Sequence, residues 1–478
     1  MIFNSNEFVL FFILFFLLYW FIFKSRVKFQ NLLILAGSYV FYSWWDWRFL
    51  FILAGSSLIN YILGILIDKM ESEKKKIYLL FAGLVAGIAS LFFFKYCNFF
   101  IDTLVNSFAA FHIKLNIHPL KIILPLGISF YTFRSLSYLL DIKSGKIKPT
   151  TDAIVFFSYM SFFPSLISGP IDKARSFIPQ LEKRRVFDYN LAADGMRQIL
   201  WGLFKKVVIA DNCDSLTNII FDNYHSYSAS TLVLGAFYFT IQIYADFSGY
   251  SDMAIGIAKL LGFNLTKNFD FPFFAQSIPE FWRKWHISLT SWMTEYVYTP
   301  ISISLRDYGK TGAITAILVN FVLIGMWHGA NWTFILFGLL NGLFFVPLII
   351  SGSIGKKKKT EKNAWKTILK LKNIVLTFII FMLSTILFRA NNVSQAIDYY
   401  HRIISVSLFV WPKNFSTTKL LLIFVFLLIE WVQQKRDHAL QIENIKISWV
   451  RYGVYYSIIA IIIMMGHFSQ SSFIYFKF

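Results

Sequence analysis

Long apolar segments separated by short polar or basic loops recur along the whole sequence. Many approach the ~20 residues that a helix needs to cross a bilayer. Regular apolar segments occupy 8–23, 29–43, 49–67, 77–95, 313–327, 332–350, 374–388, 420–431 and 449–465. The apolar segments 122–140, 153–168, 196–210 and 231–245 are interrupted by Pro, Gly or polar residues. Lipid cannot satisfy freed backbone groups, so these four predict tilted, broken or re-entrant helices that line a cavity.

Composition supports a membrane environment for these segments. Hydrophobic residues make up 56% of the 478 positions and charged residues 15%, with a mean hydropathy of +0.57. One soluble core of this length could not bury so much apolar surface. We therefore predict an all-α, polytopic integral membrane protein with roughly eleven or twelve transmembrane or re-entrant helices. No internal repeat is evident, so the prediction is one domain over residues 1–478.

The net charge of +20 is spread through the loops and forms no basic domain, which argues against nucleic-acid binding. Basic loops at 24–28, 69–76, 356–372 and 435–436 are expected on the cytoplasmic side. Counting helices between them places both termini outside the cytoplasm and the segment around His328 toward the extracytoplasmic half. The first apolar run is expected to be a retained helix and not a cleavable signal.

The first candidate site is Gly-Met-Trp327-His328-Gly-Ala-Asn331-Trp, between two apolar runs. An ionisable group in such a position is a functional candidate. A histidine accepts a proton near neutral pH, and Asn331 would share its face in a helical turn. The alternative is a structural histidine between two helices.

The second candidate is Pro-Glu280-Phe-Trp-Arg283-Lys-Trp-His286-Ile-Ser. Its three nearby tryptophans are also typical of a helix that lies flat at the membrane interface. The functional interpretation is a second polar group, His286, which faces His328 across a channel. Glu280 and Arg283 are included as supporting channel residues.

The third candidate is the stretch 244–254, in which Asp246 and Asp252 stand among aromatic and small residues. These carboxylates could orient a histidine, pair with Arg283, or cap a helix that begins near Met253. Capping is the favoured interpretation for Ser251 or Asp252, whereas the role of Asp246 stays open.

The sequence lacks the motifs that are typical of several kinds of catalytic site. It contains no GxSxG, HExxH, CxxC or GxGxxG motif, and its two cysteines, Cys97 and Cys213, cannot form a metal cluster. We predict neither a metal site nor a permanently bound cofactor. A histidine base without a protein nucleophile suits transfer of an acyl group from a thioester to a hydroxyl.

Six ordered segments resemble the membrane-bound O-acyltransferase (MBOAT) family. The segments are 124–133, 163–170, 202–207, 246–256, 281–291 and 327–332. The resemblance is strongest to the bacterial branch of alginate and peptidoglycan O-acetyltransferases, with core motifs in about 120–345, followed by C-terminal helices in 374–465.

The resemblance implies a ring of helices around a central channel. It also implies that His328 is the catalytic histidine and His286 its polar partner. In this branch the acyl donor arrives from the cytoplasm and the acceptor is extracytoplasmic.

The aromatic tail 471–478 is similar to a C-terminal motif of the same branch, in which a tyrosine is thought to carry the acyl group transiently. The corresponding residue here is Tyr475. The alternative is an aromatic anchor at the membrane interface.

The resulting expectation is a multi-pass enzyme of the bacterial inner (cytoplasmic) membrane that O-acylates an exported cell-envelope polysaccharide. The expected donor is acetyl-CoA or another acyl thioester, and the expected partners are membrane lipid and an extracytoplasmic acyltransferase. The alternatives are D-alanyl transfer to teichoic acid and transport of a lipid-linked sugar or an anion.

Overall fold

The computed structural model describes residues 1–24, 26–353 and 364–468. Throughout these ranges the regular structure is helical and no strand occurs, which confirms the all-α prediction. Within the same residues, six helical segments are long and apolar enough to cross a membrane. They are Arg48–Lys69, Glu73–Ala110, Arg306–His328, Trp332–Ile350, Ile368–Arg389 and Ser448–Met465. The chain is therefore a polytopic membrane protein, and the predicted total of eleven or twelve includes shorter helices such as Asn6–Ile22.

The chain divides into two compact units. One contains Met1–Met196 and Ala254–Thr266, and the other contains Arg197–Met253 and Lys267–Phe478. A single domain over residues 1–478 stays a prediction. The two units are described separately below.

The helices of the first unit follow the predicted apolar segments closely at the N-terminal end. They are α1 Asn6–Leu17, α2 Val27–Ser43, α3 Arg48–Lys69, α4 Glu73–Leu91, α5 Cys97–Ala110, α6 Ile128–Lys143, α7 Ala153–Ser161, α8 Phe163–Leu166 and α9 Ala174–Glu182. A π-helical turn, Phe92–Tyr96, joins α4 to α5.

Two further helices contribute residues to both units, and the rest belong to the second. The two are α10 Tyr189–Phe204 and α12 Ala229–Leu260, with α11 Asp211–Asp222 between them. The others are α13 Ile278–Lys284, α14 Ile287–Met293, α15 Thr299–Ser304, α16 Gly309–His328, α17 Trp332–Leu343, α18 Val346–Ile350, α19 Ala364–Arg389, α20 Val393–Ile403, α21 Thr417–Gln433 and α22 Ser448–Met465.

The predicted break in segment 153–168 is present in the first unit. Helix α7 ends at Ser161, because the ψ of 102° at the next residue, Phe162, lies outside the helical region, and Pro164 follows in α8. The buried Arg134 of α6 donates hydrogen bonds to Ser165 O (3.0 Å) and Tyr159 O (3.3 Å). The guanidinium therefore satisfies carbonyl groups that a continuous helix would have paired internally.

For segment 231–245, the prediction of a broken or re-entrant helix is wrong. Helix α12 runs without a break over 32 residues, through Asp246, Gly249 and Asp252. The interpretation of Ser251 or Asp252 as a helix cap is therefore also wrong, because both lie inside the helix. Helix α12 accommodates Asp246 and Asp252 because each carboxylate lies beside a lysine from an earlier helical segment, as described below.

Candidate active site

Helices α16 and α17 form a close hairpin in the second unit. A Cβ atom on Gly325 would lie 2.1 Å from Phe334 O, and one on Gly338 would lie 2.2 Å from Phe321 O. Both distances are far below any contact that a side chain could make, so only glycine permits this approach. Small residues serve the same purpose in other packed membrane helices. The hairpin places His328 at the end of α16, directly before the turn.

His328 is 3% exposed and lies among aromatic rings. Its ring centroid is 5.0 Å from that of Phe388 in α19 and 6.2 Å from that of Phe337 in α17. The His286 ring centroid is 6.4 Å away, and the indole of Trp327 lies 5.1 Å from His328 and 5.3 Å from His286. The structure thus brings together the three predicted site residues His286, Trp327 and His328.

His286 is held in an uncommon backbone conformation. Its φ is 47° and its ψ is 53°, in the left-handed region, and it directly precedes α14. This conformation is unfavourable for residues other than glycine, and such strained residues are concentrated at functional sites. The ring is 1% exposed, and neither nitrogen has a hydrogen-bond partner among the described residues.

Burial also affects the protonation of His286, which lies outside the six candidate spans. Burial and the neighbouring His328 lower the pKa of His286 well below its ordinary value. The imidazole is consequently neutral near pH 7, so one nitrogen can donate a hydrogen bond and the other can accept one.

Asn268 connects the segment after His286 to α12. Its backbone oxygen accepts from Ile287 N (2.8 Å), and its Oδ1 accepts from Ser288 N (3.3 Å) and Ser288 Oγ (3.0 Å). Its Nδ2 donates to Ser251 Oγ (3.1 Å). These bonds restrain the two residues after His286. Sequence reasoning missed Asn268, which carries no local signal in a polar loop.

The two predicted carboxylates lie beside lysines. Asp252 accepts from Lys205 Nζ at 2.5 Å, and Asp246 lies 2.9 Å from Lys206 Nζ, which is also 2.9 Å from Asp211. These pairs form where α10 meets α12: a Cβ atom on Gly202 would lie 2.6 Å from Gly249 O. The hypothesis that Asp246 pairs with Arg283 is therefore wrong, and Arg283 is exposed.

The remaining supporting candidates have structural contacts. Glu280 lies near the start of α13, 3.1 Å from Lys284 Nζ, and accepts a hydrogen bond from Gln276 N (2.9 Å). Asn331 caps α17 by accepting from Thr333 N (3.0 Å), and its Nδ2 donates to Asn391 O (2.8 Å). The capping bond of Asn331 fixes the turn after His328, which gives this residue a supporting position.

Two further predictions concern Tyr475 in the tail and the metal site. Tyr475 and the tail 471–478 lie outside the described residues, so their relation to the histidines stays a prediction. In the described ranges, no group of three His, Cys, Asp or Glu side chains is arranged to hold a metal ion.

Comparison with known proteins identifies the family of this chain. The model of the membrane-bound O-acyltransferase family matches residues 143–388, which include both histidines. The chain is 35% identical over 406 residues to the probable alginate O-acetylase AlgI of Pseudomonas aeruginosa, covering 85% of this chain and 75% of that protein. It is 32% identical over 433 residues to the peptidoglycan O-acetyltransferase of Helicobacter pylori, covering 83% and 78%. A teichoic acid D-alanyltransferase of Streptococcus thermophilus is 29% identical over 289 residues, covering 55% and 68%.

A polytopic helical protein with a buried histidine pair, similar over most of its length to such transferases, is a membrane-embedded acyltransferase. The chain belongs to the membrane-bound O-acyltransferase family, and the resemblance seen in its motifs is confirmed. It is a multi-pass membrane enzyme that transfers acyl groups to oxygen.

Proposed function

We propose that this enzyme moves an acetyl group from a cytoplasmic thioester across the membrane, for O-acetylation of an exported cell-envelope polysaccharide. The observation that supports the proposal most directly is the pair of buried imidazoles, His286 and His328, with ring centroids 6.4 Å apart. A water-poor surrounding strengthens the polar interactions between such groups and a reacting carbonyl.

The proposed reaction assigns one role to each histidine. His328 removes the proton of the attacking hydroxyl while the oxygen forms an ester bond to the thioester carbonyl carbon. The carbon–sulfur bond then breaks, and the proton passes from His328 to the departing thiolate, so that a free thiol is released. His286, as a neutral imidazole, forms a hydrogen bond with the acyl donor or with the acceptor hydroxyl. This bond holds the bound group next to His328.

The proposal extends to the sides of the membrane. The basic loops support a bacterial inner-membrane location with both termini extracytoplasmic. The donor, acetyl-CoA or another acyl thioester, would approach from the cytoplasm. Tyr475 would accept the acetyl group from the site, and an extracytoplasmic acyltransferase partner would deliver it to the polysaccharide.

Two alternatives remain for comparison. D-alanyl transfer to teichoic acid is supported by a relative that covers 55% of this chain, whereas the alginate and peptidoglycan relatives cover 83–85%. The larger coverage favours acetyl transfer. A transporter of lipid-linked sugar or anion would use the same buried polar groups as a pathway.

The decisive experiment measures O-acetyl groups on envelope glycans in cells that contain His328→Ala protein. We expect their loss, with His401→Ala as a control, because His401 is an exposed histidine on α20. Both proteins must be verified as inserted and present at equal levels. Retained acetylation by the His328→Ala protein would refute the catalytic assignment.

Two further measurements test the transport alternative and the role of Tyr475. Reconstituted protein supplied with labelled acetyl-CoA should form covalent label on protein or acceptor, whereas uptake without covalent label would favour transport. Tyr475→Phe should abolish polysaccharide acetylation if the tail relays the group. Full acetylation by this variant would leave the tail as an interfacial anchor.

A further inference from the structure

Three phenylalanine rings pack together beside His328 and the turn that follows it. They are Phe334 and Phe337 from α17 and Phe388 from the end of α19, and we name them the phenylalanine cage. Their exposed fractions are 5%, 3% and 2%. The Phe388 ring centroid is 4.9 Å from that of Phe334 and 5.2 Å from that of Phe337, with nearly perpendicular ring planes. Such edge-to-face contacts are close to the shortest that aromatic pairs adopt.

The cage is packed against the reactive residue and the turn that follows it. Phe388 lies edge-on to the imidazole of His328, with ring centroids 5.0 Å apart. A Cβ atom on Gly329 would lie 2.2 Å from the ring of Phe334, so this ring already fills the space beside the turn. The rings of His286 and Trp327 also lie near His328, with centroid distances of 6.4 Å and 5.1 Å.

This arrangement constrains the acyl group that can react. The attacking hydroxyl must lie within about 3 Å of His328, which brings the reacting carbonyl carbon close to the same ring. The first carbons of the acyl chain therefore lie inside the aromatic surroundings. A methyl group needs little space there, whereas each added methylene must displace a packed ring. One added or missing methylene in an apolar pocket changes the ratio of kcat/KM between two substrates by roughly 10–200-fold.

We propose that the phenylalanine cage determines the length of the transferred acyl group, with Phe388 as its principal residue, and restricts the enzyme to acetyl. This inference rests on the proposed function, since it takes His328 as the reacting base. The ring centroid of Phe388 lies closer to that of His328 than the centroid of Phe337 does, at 5.0 Å against 6.2 Å. Removal of its phenyl ring leaves space next to the acyl methyl group without altering either histidine.

The test uses full-length protein in membranes, with labelled acetyl-CoA and butyryl-CoA as competing probes. The measured quantity is the ratio of butyryl to acetyl incorporated into polysaccharide or protein. Phe388→Ala should raise this ratio by at least about 10-fold over the wild type. Phe388→Leu, a smaller change that preserves an apolar core residue, should raise the same butyryl-to-acetyl ratio by a smaller factor.

A matched control removes a buried phenylalanine away from His328. Phe345 is 8% exposed and its ring contacts Phe321 at a centroid distance of 5.0 Å. Phe345→Ala should leave the ratio at the wild-type value. An unchanged ratio in both Phe388 variants, with acetyl transfer retained, would overturn the role of the cage. Equal use of butyryl and acetyl by the wild type would overturn it as well.

Failure of the proposed function has a different signature. If His328→Ala membranes transfer label from acetyl-CoA as fast as the wild type, the base assignment is wrong, and the cage inference is overturned with it. If transfer depends on His328 but its chain-length preference does not depend on Phe388, only the cage inference is overturned.

Discussion

Asn268→Ala removes the side chain that restrains the segment after His286. Three hydrogen bonds disappear, two from Ser288 and one to Ser251 Oγ, whereas the bond from Ile287 N to Asn268 O can persist. Each bond contributes about 1 kcal/mol net, and a buried group left without a partner costs about 1–3 kcal/mol. The local loss is therefore about 3–5 kcal/mol while His286 keeps its present conformation.

Relaxation of His286 offsets part of that loss. Its left-handed backbone stores roughly 1–3 kcal/mol, and this is released if the residue moves to an ordinary region of φ and ψ. The variant protein should therefore lower its energy by displacing His286, and the helices should remain folded. A displacement of about 1 Å at a catalytic group can reduce a rate about 100-fold. We expect acetyl transfer to fall by about 10–100-fold.

The assay compares initial rates of acetyl transfer for Asn268→Ala, His286→Ala and the double variant, at equal amounts of inserted protein. If Asn268 acts through His286, the double variant should be no slower than His286→Ala. Asn60→Ala is a suitable control, because Asn60 is 2% exposed and its Nδ2 donates to Ser56 O within α3. Independent, multiplicative effects of the Asn268 and His286 substitutions would refute the reasoning.

Three further outcomes are expected. Lys206→Met removes the cation that lies 2.9 Å from both Asp246 and Asp211 and should destabilise the protein by about 3–5 kcal/mol in thermal or denaturant unfolding. Loss of the exposed Arg306 should destabilise it by less than about 1 kcal/mol; equal effects would contradict the buried pairing. Gly325→Ala should destabilise the protein by about 1–3 kcal/mol or more and lower its activity, because the added Cβ meets the opposite helix. Gly453→Ala, with open space around the added Cβ, should leave the stability unchanged or increase it. The lowered pKa of His286 means that the unfolded chain binds a proton first as pH falls below about 6.5, so stability should decrease on acidification. Melting temperatures at about pH 7.5 and about pH 5.5 should differ less in His286→Asn than in the wild type, and identical differences would argue against a buried neutral ring.

The apolar pattern predicted the membrane helices well because lipid contact selects side chains locally. The predicted segment 49–67 corresponds to α3, Arg48–Lys69, and 313–327 corresponds to α16, Gly309–His328. Each of these helices satisfies its own backbone, so its extent follows from a continuous apolar run. The pattern misjudged α12, because Ser, Gly and Asp weaken a hydropathy signal even where neighbouring helices satisfy them.

The supporting polar contacts could not be predicted in the same way. Asp252 and its partner Lys205 are 47 residues apart, and they meet because Gly202 and Gly249 let α10 and α12 approach closely. Asn268 and Phe388 are likewise brought to the two histidines from distant parts of the chain. Periodicity indicates which side of a helix is buried, but it does not identify the residue on the opposite helix.

The sequence by itself determined the all-α membrane character of this protein, and its ordered motifs indicated His286 and His328 as candidate site residues. These features follow from hydropathy and from residue types at short spacing, which are local properties. Only the tertiary structure decided that the two imidazoles lie with centroids 6.4 Å apart, that His286 adopts a left-handed backbone beside Asn268, and that Phe388 closes the space next to His328. These features depend on how helices pack, and packing is decided by contacts between residues far apart in the chain.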